Sequence, residues 1–142
     1  MEVRIPAAAF PAYSTYLIEI YCMEQMKVLI IDDNEKVRQV VRDYLPVEVD
    51  EIFECADGGE ALALYQKHLP DWVLMDWEMP QTNGITAIRE IIAEYPEANI
   101  CMVTAFDDED IRTEAFRAGA SGFVLKDNLF ELEVILVNEM EN

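Results

Sequence analysis

Basic residues are scarce in this chain: 10 Lys and Arg stand against 29 Asp and Glu in 142 residues, a formal net charge of -19 at pH 7. A surface of that sign repels nucleic acid and anionic membrane alike, so no direct binding to either is expected. Glycine is sparse too, with five in all. No Gly-rich phosphate loop follows the first apolar run, which counts against a nucleotide or flavin binder. The single histidine, His68, lies in KHLP at the end of a helical pattern. With no visible catalytic partner it reads as a helix-end or surface residue rather than a phosphocarrier. The three cysteines show no metal-ligand spacing. Cys55 and Cys101 fall inside apolar runs and Cys22 in the N-terminal segment, a pattern that suits reduced thiols in a cytoplasmic protein.

Long hydrophobic runs are missing as well. The uncharged part of the N-terminal segment, Ile5 to Ile18, is interrupted by Pro11 and by Ser14-Thr15. It is shorter than the roughly 18 apolar residues of a spanning helix. Glu2 offsets Arg4, so the positive flank of a secretion signal is weak. Residues 1–26 therefore read as an extension, either dispensable or the product of an over-extended start ahead of Met23 or Met26. Against dispensability stand the aromatics Phe10, Tyr13, Tyr16 and Tyr21, which are able to form a docking patch.

What the chain does have is apolar residues, 52% of the total, enough for one domain with a real core. From Lys27 on, short apolar runs alternate with stretches of helical period. The strands are predicted at Val28 to Ile31, Ile52 to Cys55, Trp72 to Met75, Ile100 to Val103 and Phe123 to Leu125. Helices are predicted at about Glu35 to Leu45, Gly59 to Lys67, Gly84 to Tyr95, Glu109 to Ala118 and Leu129 to Met140. Five strand-helix repeats imply an α/β fold, a five-stranded parallel sheet with helices on both faces, over residues 27–142.

In such sheets ligands gather outside the carboxyl ends of the strands. Those exits carry Asp32-Asp33, Asp76, Thr104-Ala105 and Lys126-Asp127. Each residue alone has a plain structural explanation, as turn, cap or surface charge. Asp76, in VLMDWEMPQTNG, is the exception, because Thr82 or Asn83 is better placed to cap the next helix. Taken together the group is costly. Two carboxylates about 4 Å apart repel by roughly 4 kcal/mol at an effective dielectric of 20, so three need a positive partner. That partner is Lys126 or a hard divalent cation such as Mg²⁺. Carboxylate, Mg²⁺, hydroxyl and lysine are together what phosphoryl transfer to an aspartate requires, with Asp76 as the acceptor.

Four blocks stand in order, VLIIDDNE, VLMDWEMPQTNG, VTAF and AGASGFVLKD, within a stretch running essentially from Lys27 to Asn142. In these the chain resembles the receiver domains of two-component response regulators. The resemblance implies a flavodoxin-like doubly wound fold with strand order 2-1-3-4-5. It implies Asp76 as phosphoacceptor, and Mg²⁺ held by Asp32, Asp33, Asp76 and the Glu78 backbone carbonyl. Thr104 and Lys126 are implied to contact the phosphoryl group, and Phe123 to be the aromatic switch. The implied partners are a histidine kinase or histidine phosphotransfer protein and a downstream protein target. The expected function is that of a stand-alone receiver, with self-phosphorylation and autodephosphorylation but no metabolite turned over.

Departures from the family pattern are Phe123 in place of a tyrosine, Asp127 in place of a proline, and the bulky or charged Trp77, Glu78 and Phe106 near the acceptor. Asp127 is similar to receivers fused to helix-turn-helix outputs, although no output domain is expected here. The alternative function is an aspartate-nucleophile, Mg²⁺-dependent phosphatase of small phosphomonoesters. Those enzymes carry the nucleophile on their first strand, the reverse of the order seen here.

Overall fold

The computed structural model describes residues 26–141; the N-terminal extension and Cys22 lie outside the described residues. Five parallel strands are ordered β2-β1-β3-β4-β5. They are β1 (Met26–Ile31), β2 (Val49–Cys55), β3 (Trp72–Met75), β4 (Ile100–Thr104) and β5 (Gly122–Leu125). The connecting helices are α1 (Glu35–Asp43), α2 (Ala61–His68), α3 (Gly84–Glu94), α4 (Glu109–Ala118) and α5 (Glu131–Glu141). The sheet class is that expected from the strand-helix repeats, and the strand order is the one the resemblance implies.

The apolar strands are buried on both faces, which is why they read as continuous runs rather than alternating ones. On one face Leu29, Ile31, Val73, Met75, Ile100 and Met102 pack against α2, α3 and α4 through Ala61, Ile88, Ile91 and Ala115. On the other, Val28, Ile30, Trp72, Leu74, Cys101 and Val124 meet α1 and α5 through Val41, Leu132 and Leu136. Among the described residues no helix is long and apolar enough to cross a membrane.

Element ends differ from expectation where backbone pairing decides them. β2 begins at Val49, three residues early, because pairing with β1 runs from Met26↔Val49 to Ile31↔Cys55. An edge strand of this kind tolerates Asp50 and Glu51, whose charge hides it in the sequence. α2 is preceded by a 3₁₀ turn at Gly58–Glu60, capped by Asp57 Oδ1 accepting from the Gly59 amide at 2.8 Å. A second 3₁₀ turn, Lys126–Asn128, delays α5 to Glu131. The α3 cap is Asn83, whose Oδ1 accepts from the Thr86 amide at 2.9 Å. The acidic run before α4 is likewise a helix start, with Asp108 as its N-cap. His68 is not simply exposed: its ring stacks on Phe53 of β2, centroids 3.7 Å apart.

Candidate functional site

Parallel pairing puts every strand exit at one edge, and the register decides which exits touch. Ile31 pairs with Met75 in β3 and with Cys55 in β2. The ladder continues one step further, with the Asp76 amide donating to Ile31 O at 2.9 Å and the Asp32 amide to Cys55 O at 3.0 Å. Asp32 and Asp76 are therefore held side by side by main-chain hydrogen bonds, whatever their charges prefer. Both are buried, at 4% and 5% exposure, while Asp33 faces solvent.

β5 brings the counter-charge. Lys126, in the turn after it, places Nζ 2.8 Å from Asp32 Oδ2 and 3.1 Å from Asp76 Oδ1. Asp32 Oδ1 is used locally, accepting from the Asn34 amide at 2.9 Å. One lysine does not balance three acids. Burial first, and then the charge of Asp32, push the Asp76 carboxyl up to about 6 against the pull of Lys126. Burial disfavours the Lys126 ammonium, but its hydrogen bond to Asp32 and the charges of Asp32 and Asp76 outweigh that and raise its pKa.

Asp32, Asp33 and Asp76 each offer an oxygen within 4.8 Å of the others. An all-carboxylate set with one member open to water suits a hard divalent cation and not a thiophilic metal. The three acids line a cleft of about 570 Å³ together with Asn34, Glu78, Phe106 and Lys126. Phe106, on the cleft, meets Trp77 edge to face with ring centroids 5.3 Å apart.

Two residues expected at the site are not on the cleft. The Thr104 side chain is buried, and its hydroxyl accepts from the Phe106 amide at 3.2 Å, a local turn bond. Phe123 is turned inward, 7% exposed, with the Arg112 guanidinium 4.9 Å from its ring centroid.

Sequence reasoning missed two supports of the site. A Cβ at Gly84 would lie 2.1 Å from the Asp76 carbonyl oxygen, so only glycine lets α3 start this close to the acceptor. Its amide also donates to Trp77 O at 2.8 Å. Arg38 reaches back from α1 to donate to Asp32 O at 2.6 Å and to Glu54 at 3.0 Å, while Arg42 also pairs with Glu54. The signal for Gly84 was its place at the helix start in a glycine-poor chain; for Arg38 there was none short of the fold.

Comparison with known proteins points the same way. The sequence model for the response regulator receiver domain matches residues 28–136. The chain is 35% identical over 105 residues to the transcriptional regulatory protein DegU of Brevibacillus brevis, covering 72% of this chain and 44% of that protein. It is 36% identical over 101 residues to the chemotaxis protein CheY of Bacillus subtilis, covering 70% and 84% respectively. The chain spans about half the length of several curated relatives it matches. Among solved structures, a LuxR-family two-component response regulator from Aurantimonas sp. SI85-9A1 superposes with a TM-score of 0.75 at 32% identity, covering 82% of this chain and 86% of that one.

Proposed function

The chain belongs to the response regulator receiver domain family, and from that premise we propose that Asp76 accepts a phosphoryl group from a histidine kinase or histidine phosphotransfer protein. The observation that carries this is the acceptor geometry: a buried carboxylate 3.1 Å from Lys126 Nζ, within a trio of acids spanning 4.8 Å or less. An Asp76 carboxylate oxygen forms the new P–O bond as the P–N bond of the donor phosphohistidine breaks. The bonding pair returns to the imidazole nitrogen, which then takes up a proton.

Asp32, Asp33 and Asp76 are the side chains proposed to hold Mg²⁺, with the Glu78 carbonyl as a further ligand. Bound there, the cation supplies positive charge to the transferring oxygens and relieves carboxylate repulsion. Lys126 leaves its ion pairs to meet a phosphoryl oxygen. Thr104 exchanges its turn bond to the Phe106 amide for one to the phosphoryl group, and the space this opens lets Phe123 shift, biasing a two-state surface read by a downstream protein. The output in this reading is an altered surface, not a turned-over metabolite.

The test is incubation with acetyl phosphate, with and without Mg²⁺, followed by intact mass measurement. One added phosphoryl group is expected, dependent on Mg²⁺ and missing from Asp76→Asn. An adduct that persists in the variant would remove Asp76 from the role. Steady release of phosphate from small phosphomonoesters would favour the phosphatase alternative.

A further inference from the structure

At the opposite end of the sheet a second cleft, of about 450 Å³, opens between the residues that lead into β3 and those that lead into β4. Tyr65, Asp71, Glu94, Tyr95, Glu97 and Asn99 line it, and no Lys, Arg or His does. It is separate from the phosphoacceptor site, because Asp71 and Asn99 precede the amino ends of strands whose carboxyl ends carry Asp76 and Thr104.

Tyr65 is the feature that a chance acidic surface does not explain. The residue is only 8% exposed and packs on Tyr95, ring centroids 4.8 Å apart at 50°. Its hydroxyl has no hydrogen-bond partner among the described residues. No fully enclosed side-chain oxygen among them lacks a partner, so this hydroxyl opens into the cleft rather than being sealed in the core. Burial first, and then the neighbouring Tyr95 phenol and the Asp71 and Glu97 carboxylates, raise the phenol's pKa further above neutrality, where any tyrosine is already protonated.

The carboxylates keep free acceptor capacity. Asp71 Oδ2 takes the Lys27 amide at 2.8 Å and Glu94 Oε2 the Gln66 side chain at 2.7 Å, leaving further lone pairs on each. The cleft thus offers the half-buried Tyr95 ring, the Tyr65 hydroxyl at its edge, carboxylates with spare acceptor capacity, and no positive charge. A flat, multiply donating cation matches that set better than a compact ammonium, because guanidinium stacks on aromatic rings and donates in several directions at once.

We propose that this cleft binds the guanidinium of an arginine side chain presented by a partner protein. The proposal stands apart from the phosphoacceptor reading, since its residues and its readout are separate from that site.

The test is a titration of isotope-labelled full-length protein, followed by amide chemical shifts, with Mg²⁺ present throughout to occupy the acidic site at the other end. Four probes are compared: an acetylated, amidated Gly-Arg-Gly peptide, its citrulline and lysine counterparts, and spermidine. Saturable shifts at Tyr65, Asp71, Tyr95 and Glu97 are expected with arginine, none with the uncharged citrulline, and weaker binding of lysine and spermidine. Tyr65→Phe and Glu97→Gln should each weaken the arginine peptide about 3- to 10-fold. Glu133→Gln, an exposed acid on α5, should leave it unchanged. Equal binding of citrulline, equal or tighter binding of lysine or spermidine, non-saturating shifts across the acidic surface, or undiminished binding by a folded Tyr65→Phe would each overturn the assignment.

Discussion

Replacing the acceptor with its neutral isostere should stabilise the metal-free protein. The Asp76 carboxyl is lifted from 3.8 to about 6 in the fold, by burial and then by Asp32. A folded pKa above the unfolded one means that ionised Asp76 opposes folding. The penalty is negligible below pH 4, grows through the interval between the two values, and is complete above pH 6. Two units correspond to about 3 kcal/mol. That figure is already net of the pull of Lys126, and solvent reaching the open side at Asp33 screens it further, so Asp76→Asn should gain about 1–2 kcal/mol at pH 8. The gain should shrink to about half by pH 5. Urea unfolding in EDTA at both pH values measures it. Mg²⁺ should then narrow or reverse the order, because a ligand at 100 times its Kd adds about 2.7 kcal/mol to whichever chain binds it, and the variant has lost one carboxylate. A variant less stable than the parent at pH 8 in EDTA, or a gap identical at pH 5 and pH 8, would refute the reasoning.

Gly84→Ala forces a Cβ to within 2.1 Å of the Asp76 carbonyl; unfolding should show a loss of about 1–3 kcal/mol, with slower acetyl phosphate uptake as the acceptor shifts. Lys126→Ala removes the cation that competes for Asp32 and Asp76, so calorimetry should find tighter Mg²⁺ binding than in the parent, together with a weakened conformational response to phosphorylation. Arg112→Met strips the guanidinium from the Phe123 ring, worth about 0.5–1 kcal/mol, and amide exchange in β5 should quicken even without phosphate. Leu69 sits at the α2 C-cap with φ 45° and 59% exposure; Leu69→Gly should raise stability by about 0.5–1 kcal/mol by relieving left-handed strain, read as a higher urea midpoint.

The parts of the fold legible in the sequence are those fixed by composition over a short window. β1, β3, β4 and β5 stand out because both of their faces are covered, so each appears as an unbroken apolar run. β2 is half hidden because only its two end residues are buried, so main-chain pairing sets its start and Asp50 and Glu51 stay in reach of water. The candidate site was legible for a different reason. Parallel topology sends every strand exit to the same edge, so a list of exit residues is a list of candidate neighbours, among which register and local turns choose. Asp32, Asp76 and Lys126 follow from that rule. Gly84 and Arg38 do not, because their importance arises from an approach between segments distant in the chain or across a helical turn. The orientation of Thr104 was also beyond the sequence, since its hydroxyl follows a single turn bond to the Phe106 amide.

The rigidity of the sheet accounts for why the charge balance is left unresolved at Asp76. Hydrogen bonds from the Asp32 and Asp76 amides extend the β-ladder past the last apolar residue, so separating the two carboxylates to relieve their repulsion would mean breaking main-chain bonds. The strain is instead carried electrostatically, as a raised Asp76 pKa and a lysine shared between two acids. A lysine so shared is movable in a way that neither carboxylate is, because Asp32 is further pinned by the Asn34 amide and by Arg38 on its carbonyl. Any new charge placed at Asp76 therefore acts first on Lys126. The turn that carries Lys126 leads directly from β5, the strand of Phe123, into α5, so the one mobile charge of the site sits on the segment that joins the last strand to the last helix.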